Sequence, residues 1–241
     1  MTFDPLAAVG IVLTTAREGL QEISGTCFLF RHEHVALTAG HCAAADAASI
    51  DLVFPRLGRS QRVEQIDRHP TADVALLVTK VEPGDPGSGY PERAFWDRVG
   101  NWSLGEEFFA YGFPSDAPTP DAPPAFAVPR LFTGNYQRFF TYDSPSGYRY
   151  LAGEMSIPAL SGLSGGPVFR REAPQMVTAL VTASAESYVI TDSVEELREG
   201  GSVYRLESRK VITYGLALML SGVSDWLRET VPPRDGVGWV S

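Results

Sequence analysis

Cysteine, histidine and long apolar runs are all scarce in this chain of 241 residues. Two cysteines, Cys27 and Cys42, cannot build the disulfide framework of a small secreted domain, and in a reducing compartment we expect buried thiols. Of the four histidines, His32 and His34 lie close together but have no evident third ligand, so a solvated turn is the expected interpretation. We therefore expect neither a bound metal nor a cofactor.

Basic residues are also in the minority. The 20 Lys and Arg residues against 29 Asp and Glu residues give a net charge of −9, which disfavours nucleic acid and anionic membranes as partners. The apolar runs at 6–13 and 211–223 are short and interrupted by glycine, so neither reads as a leader or a membrane span. The expectation is a cytoplasmic protein without membrane association.

Short strands fill most of the sequence. Hydrophobic residues make up 44%, and 23 glycines with 18 prolines indicate a turn-rich chain. The runs rich in β-branched and aromatic residues favour an antiparallel all-β barrel or sandwich in two halves, at 1–105 and 106–220. The tail, 221–241, begins with the one predicted helix, at 221–231 with Ser221 as its cap.

Three segments between these strands are predicted to be loops. Proline is dense in 114–129, and 82–92 is rich in glycine and proline, so both favour extended loops. The charged run VEELREG, 194–200, is predicted to be a surface loop, with a short helix as the alternative.

The stretch LSGLSGGP, 160–167, surrounds one hydroxyl with glycines. A loop tip is one interpretation. The other is a nucleophile, Ser164, whose neighbours bring bare backbone N–H groups close to a reacting atom. A serine nucleophile needs a base, usually histidine, which is usually held by a carboxylate. His41 in LTAGHC and Asp73 in ADVALL are the candidates.

These three motifs resemble those of trypsin-like serine proteases of the chymotrypsin fold. LTAGHC is similar to the histidine motif, ADVALL to the aspartate motif and GLSGGPV to the serine motif, in the same order. The tail YGLALMLSGVSDWLRE resembles the last strand and closing helix of the family. The resemblance implies two six-stranded antiparallel Greek-key β-barrels packed together, with a C-terminal α-helix, in a bacterial-style single-domain member.

The resemblance also implies a role for each residue. Ser164 would be the nucleophile, His41 the general base and acid, and Asp73 the group that orients the imidazole. The backbone N–H groups of Gly162 and Ser164 would form the oxyanion hole. Cys27 and Cys42 occupy positions that are often bridged in the family, so we expect them to be adjacent, as thiols or as a disulfide.

Two departures from the family pattern bear on regulation and specificity. Leu163 stands where secreted trypsins carry an aspartate that pairs with a new N-terminus, so we expect the loop to be held by packing of Leu163 or by a partner, without N-terminal trimming. The residues expected to line the specificity pocket carry no carboxylate at its base, which predicts a small or medium apolar residue before the cleaved bond. They are Pro158, Ala159, Thr182, Ala183, Ser184 and Ile212.

The sequence therefore predicts a serine endopeptidase that acts on polypeptides through an acyl-enzyme and is regulated inside the cell. Two alternatives stay open. One is a protease-like binding module that is inactive until a regulatory protein docks. The other is an esterase that uses the same three residues on small acyl esters.

Overall fold

The structure of the protein is a computed structural model that describes residues 4–16, 19–80, 95–97, 102–115, 128–197 and 203–231. The predicted loop at 82–92 and most of the loop at 114–129 lie outside the described residues. Within the described part, strands dominate and a single short α-helix closes the chain, which confirms the all-β class. No helix in these segments is long and apolar enough to cross a membrane.

The first six strands close into an antiparallel barrel of order β1-β2-β3-β6-β5-β4. They are β1 (Val9–Thr15), β2 (Gln21–Leu29), β3 (Val35–Thr38), β4 (Ile50–Phe54), β5 (Arg59–Arg68) and β6 (Ala75–Thr79). Because β3 pairs with β6 instead of with the next strand along the chain, the end of β3 lies beside the start of β6, with Thr38 opposite Ala75. This crossing brings the residues after β3 next to those before β6.

A second ring of six strands follows the order β11-β8-β9-β10-β13-β12, and β12 pairs back onto β11. The strands of this half are β7 (Trp96–Asp97), β8 (Glu107–Gly112), β9 (Arg130–Asp143), β10 (Arg149–Met155), β11 (Pro167–Arg170), β12 (Ala173–Leu197) and β13 (Val203–Met219). The short β7 adds to β12 in parallel. Two antiparallel six-stranded sets, as the sequence predicts, therefore make up the described fold.

Apolar side chains from both halves meet in one core cluster, and a second cluster lies within the second ring. Phe28, Leu37 and Leu76 of the first barrel are fully buried, and the same cluster reaches Phe113, just after β8, and Leu227 near the C-terminus. Each such burial stabilises the fold by about 1.5–3 kcal/mol. The two halves are therefore joined by core packing.

The terminal helix and the second ring differ in detail from the sequence prediction. Helix α1 (Ser224–Thr230) follows a 3₁₀ turn at Leu220–Val223, so the residue at its N-cap is Val223, without a side-chain cap hydrogen bond, and not Ser221. The prediction of a loop or helix over 194–200 is wrong for 194–197, because β12 stays paired with β13 up to Leu197 opposite Val203. The β-branched residues in 189–194 favour the strand over the helix.

Candidate active site

The crossing in the first barrel places a histidine against an aspartate. His41 lies in a 3₁₀ turn, Gly40–Ala43, that follows β3, and Asp73 lies in the loop between β5 and β6. The backbone N–H of His41 donates to Asp73 Oδ1 at 2.9 Å, and His41 Nδ1 lies 2.8 Å from Asp73 Oδ2. Both carboxylate oxygens are thus used to fix one histidine.

Burial makes this contact electrostatically strong. The Asp73 side chain is 6% exposed, whereas the His41 side chain is 43% exposed and reaches the surface with the other edge of its ring. The hydrogen bond to Asp73, followed by the neighbouring Cys42 thiol, raises the pKa of His41 above its ordinary value of 6.5, against the opposing effect of burial. The pair therefore favours an imidazolium, which is the charge that a general base acquires when it accepts a proton.

The loop 160–167 adopts the backbone geometry that its glycines allow. Gly162 and Gly165 have φ of +83° and +85°, in the left-handed region. A Cβ at Gly162 would lie 2.6 Å from the carbonyl oxygen of Phe113, and one at Gly165 would overlap Thr26 O and Thr38 Oγ1. The glycines are required because the loop is pressed against the backbone of the first barrel.

Thr26, on β2 of the first barrel, connects that barrel to the serine loop. Its hydroxyl donates to the carbonyl of Gly162 at 2.7 Å, and its backbone N–H donates to the carbonyl of Ser164 at 2.8 Å. The same hydroxyl accepts the backbone N–H of Phe113 at 3.0 Å. Thr26 is fully buried, so these bonds fix the 162–163 and 164–165 peptide units, which lie on either side of the unit that carries the Ser164 N–H.

The two peptide N–H groups expected to form the oxyanion hole are left available. Within the described residues, neither Gly162 nor Ser164 donates its backbone N–H to another protein group, whereas Gly165 donates to Val181 O at 2.7 Å. Leu163, between the two donors, is fully buried in the core of the second ring. This burial agrees with the expectation that packing of Leu163 holds the loop.

The Ser164 hydroxyl donates to the carbonyl of Thr182, on β12, at 3.2 Å. No hydrogen bond joins it to His41 in the described part of the chain. The serine nevertheless lies beside the histidine turn, because the Cys42 thiol donates to the carbonyl of Ser164 at 3.6 Å. Catalytic hydrogen bonds in ligand-free sites are often long or poorly aligned until substrate binds, so the missing bond does not exclude a catalytic role for Ser164.

The two cysteines are close and reduced. Both Cys27 and Cys42 are buried free thiols in this structure. Burial raises the pKa of Cys27 far above its ordinary value, and the nearby Cys42 acts in the same direction. The Cys27 thiol therefore does not ionise readily.

The expected pocket residues divide into two groups. Thr182, Ala183 and Ser184 lie on β12 next to the serine, and the Ser184 hydroxyl donates to the carbonyl of Ala159 at 2.9 Å, while Pro158 precedes that residue. Ile212 lies farther along β13, opposite Ser187.

The residue opposite Ser184 is Gly215, which donates its N–H to Ile157 O at 2.6 Å. A Cβ at Gly215 would lie 2.9 Å from the backbone nitrogen of Ala159. The 157–159 segment therefore packs directly against β13 at Gly215.

Sequence reasoning did not identify three residues of this site: Thr26, Tyr150 and Gly215. The Tyr150 hydroxyl donates to Thr182 Oγ1 at 2.9 Å, and that hydroxyl donates to Leu216 O at 3.1 Å. Burial raises the pKa of Tyr150, so its proton stays in place. Only Gly215, a lone glycine in an apolar strand, carried a signal of close backbone approach.

A hydrogen-bonded His–Asp pair, a glycine-rich serine loop and two six-stranded rings are typical of a chymotrypsin-like fold. The family model for the trypsin-like peptidase domain matches residues 25–177. The chain therefore belongs to the trypsin-like peptidase domain family and is a serine peptidase. No curated protein sequence was found to match it.

Solved structures agree on the fold. The Rv3671c protease in its inactive form is similar with a TM-score of 0.61 and 14% identity, over 96% of this chain and 98% of that one. The HtrA-type protease AlgW is similar both with a tripeptide (TM-score 0.59, 17% identity, 94% of this chain) and with a decapeptide (0.60, 15%, 93%). This chain spans 60% and 64% of those AlgW chains.

Proposed function

We propose that the protein is an endopeptidase in which Ser164, His41 and Asp73 act as a catalytic triad through an acyl-enzyme. The observation that carries the proposal is the His41 Nδ1 to Asp73 Oδ2 distance of 2.8 Å, with the carboxylate buried and the serine loop beside the same turn. A histidine held in this way keeps its second ring nitrogen, Nε2, available for the serine proton.

In the first half of the reaction, Ser164 Oγ turns from Thr182 O towards His41 and attacks the substrate carbonyl. His41 Nε2 takes the hydroxyl proton while the new C–O bond forms, and Asp73 stabilises the imidazolium. The negative carbonyl oxygen accepts hydrogen bonds from the N–H groups of Gly162 and Ser164, and one such donor contributes roughly 2.7–4 kcal/mol to the transition state.

The second half of the reaction regenerates the enzyme. His41 gives its proton to the leaving amine as the C–N bond breaks, which leaves an ester on Ser164. A water then attacks the ester, with His41 taking its proton and returning it to Ser164 Oγ as the acid product leaves. Atoms and charge balance without a metal or cofactor in either half.

Polypeptide is the substrate class that the pocket favours. The AlgW structures hold a tripeptide and a decapeptide, which supports a polypeptide as the substrate class here. The residues at the expected pocket are small, namely Ala159, Ala183 and Gly215, and Ser184 and Gly215 hold the 157–159 segment against β12 and β13. We therefore propose a small or medium apolar residue before the cleaved bond.

The test is covalent labelling followed by an unbiased digest. A fluorophosphonate probe should label the wild-type protein on Ser164, and Ser164→Ala should lose the label. Ser161→Ala, a serine of the same loop, is the matched control and should label normally. A proteome digest read by mass spectrometry should show cleavage that disappears in Ser164→Ala, and clean cleavage after Arg or Lys would contradict the pocket assignment.

A second candidate is a protease-like module that becomes active only when a protein partner docks. The observation that favours it is the Ser164 hydroxyl donating to Thr182 O instead of to His41. Labelling of Ser164 that requires added lysate or peptide would support this candidate, whereas labelling of the pure protein supports the constitutive enzyme.

A further inference from the structure

The loop that presents Asp73 is organised by one side chain, His69, at the end of β5. His69 Nδ1 accepts the backbone N–H of Thr71 at 3.1 Å and of Ala72 at 2.8 Å. The backbone N–H of His69 donates to the carbonyl of Val74 at 3.0 Å. The residues immediately before and after Asp73 are thus tied to a single histidine.

Two other elements hold the same loop from outside. The His69 ring packs edge-on against Trp226 of α1, with centroids 5.3 Å apart and an interplanar angle of 73°. The carbonyl of Thr71 accepts the backbone N–H of Arg149, at the start of β10, at 2.7 Å. The loop therefore packs between the first barrel, the second ring and the terminal helix.

We propose that His69 is a positioning residue that sets the Asp73 carboxylate against His41, and that it does so only while its Nδ1 carries no proton. A neutral imidazole nitrogen accepts hydrogen bonds through its lone pair, whereas a protonated one is a donor. Protonation would place a third donor against the N–H groups of Thr71 and Ala72 and release both. The inference rests on the catalytic role proposed for Asp73.

The groups around His69 do little to stabilise the protonated form of its ring. Burial lowers the pKa of His69 below its ordinary value. Of the carboxylates nearest along the chain, Asp67 accepts the side-chain amide of Gln65 at 2.8 Å, and Asp73 is committed to His41. On β5 itself, Arg68 points away to donate to the carbonyls of Ala43 and Ala45.

On the other elements that pack against this loop, charged side chains are already in ion pairs. On β10, the Arg149 side chain donates to Asp143 at 3.1 Å, and on α1 Arg228 donates to Asp225 at 3.3 Å. Tyr148, before β10, has its pKa raised by burial and stays neutral. We therefore expect His69 to be neutral near pH 7 and to titrate below pH 6.5.

Asparagine is the informative substitution, because its Oδ1 is bonded to Cγ just as Nδ1 is and accepts hydrogen bonds at every pH. The rate of fluorophosphonate labelling of Ser164 is the readout. His69→Ala should lower this rate by about 10- to 100-fold, as expected for a displacement of about 1 Å in a catalytic group. His69→Asn should stay close to wild type, and His32→Asn, in the turn between β2 and β3, controls for loss of a histidine.

The pH profile separates positioning from general destabilisation. In the wild type, the labelling rate should fall with one proton as His41 titrates and with a second proton below the pKa of His69. In His69→Asn the fall should follow one proton throughout. This comparison needs no alanine variant, so it decides the question even where His69→Ala does not fold.

Failure of the inference and failure of the proposed function give different results. Loss of activity in His69→Asn equal to that in His69→Ala, or a second proton that persists in His69→Asn, would overturn the inference. If the wild type does not label at all, the triad proposal fails. In that case ¹⁵N NMR still tests the role of His69. Positioning predicts that His69 Nδ1 carries no proton and that the His41 Nδ1–H resonance is lost in His69→Ala and kept in His69→Asn. The opposite pattern refutes it.

Discussion

Replacing Asp73 by asparagine tests the triad with almost no change in shape. Asp73 accepts two hydrogen bonds from His41, at 2.9 Å from the backbone N–H and at 2.8 Å from Nδ1. The amide of Asp73→Asn has one accepting oxygen, which keeps the backbone N–H, so its NH₂ group turns to Nδ1. That ring nitrogen must then lose its proton and Nε2 must carry it, in the tautomer that cannot take a proton from Ser164.

The expected loss is large because every molecule holds the wrong tautomer. We expect kcat/KM to fall by about 10⁴-fold, the size of the loss when a triad aspartate is converted to its amide, which corresponds to about 5 kcal/mol of transition-state stabilisation. Fluorophosphonate labelling kinetics measure the loss, and a cooperative urea denaturation curve checks that the variant is folded.

The matched control is Asp51→Asn, which neutralises another buried carboxylate, one that pairs with Arg62 in the first barrel. Its labelling rate should equal that of the wild type. A variant Asp73→Asn that keeps more than a tenth of the wild-type rate would refute the role of the carboxylate, since no neutral amide can hold His41 in the required tautomer.

Three further predictions concern the serine loop and pH. Thr26→Val should cost about 2–3 kcal/mol of unfolding free energy in urea, because it leaves buried polar groups without partners, and it should slow labelling, whereas Thr26→Ser should keep both; equal effects would show that the hydroxyl is not what matters. Gly165→Ala should destabilise by more than about 3 kcal/mol because its Cβ meets backbone, while Gly58→Ala, also at positive φ but in open space, should cost about 1–2 kcal/mol. Because Asp73 raises the pKa of His41, activity should rise with pH through that raised pKa. The stability from the pair is complete below pH 6.5 and is lost as pH rises through the raised pKa of His41. In His69→Asn, which lacks the second titration, an activity limb at or below pH 6.5 would contradict this assignment.

The sequence predicts the parts of the site whose chemistry depends on short local motifs. A histidine in LTAGHC, an aspartate before an apolar strand and a serine among glycines each need particular neighbours within a few residues. The structure brings His41 and Asp73 into contact and sets Ser164 beside the same turn. The all-β class followed in the same way from short runs of β-branched and aromatic residues.

The remaining features depend on contacts between distant segments. Thr26 lies in a strand in which any small residue would satisfy the local pattern, and its role arises from bonds to Gly162 and Ser164 across two halves of the chain. The length of the β12–β13 ribbon was missed because acidic residues in 194–200 outweighed strand propensity in the prediction, whereas pairing along the ribbon decides the outcome. Local sequence carries neither kind of information.

In the proposed mechanism, catalysis depends on the contacts between the two halves of the chain. His41 and Asp73 belong to the first barrel, and Ser164 belongs to the second, yet the peptide units before and after the one that carries the Ser164 N–H are fixed by Thr26 from the first. A shift of one half against the other would therefore break the bonds to Gly162 and Ser164 before it disturbed the His–Asp pair. An effector that weakens the contact between the two halves would therefore disorder the proposed oxyanion donors and reduce activity, while the hydrogen bonds within the first barrel remain. In that case the Nδ1–H resonance of His41 would persist in an enzyme that no longer labels.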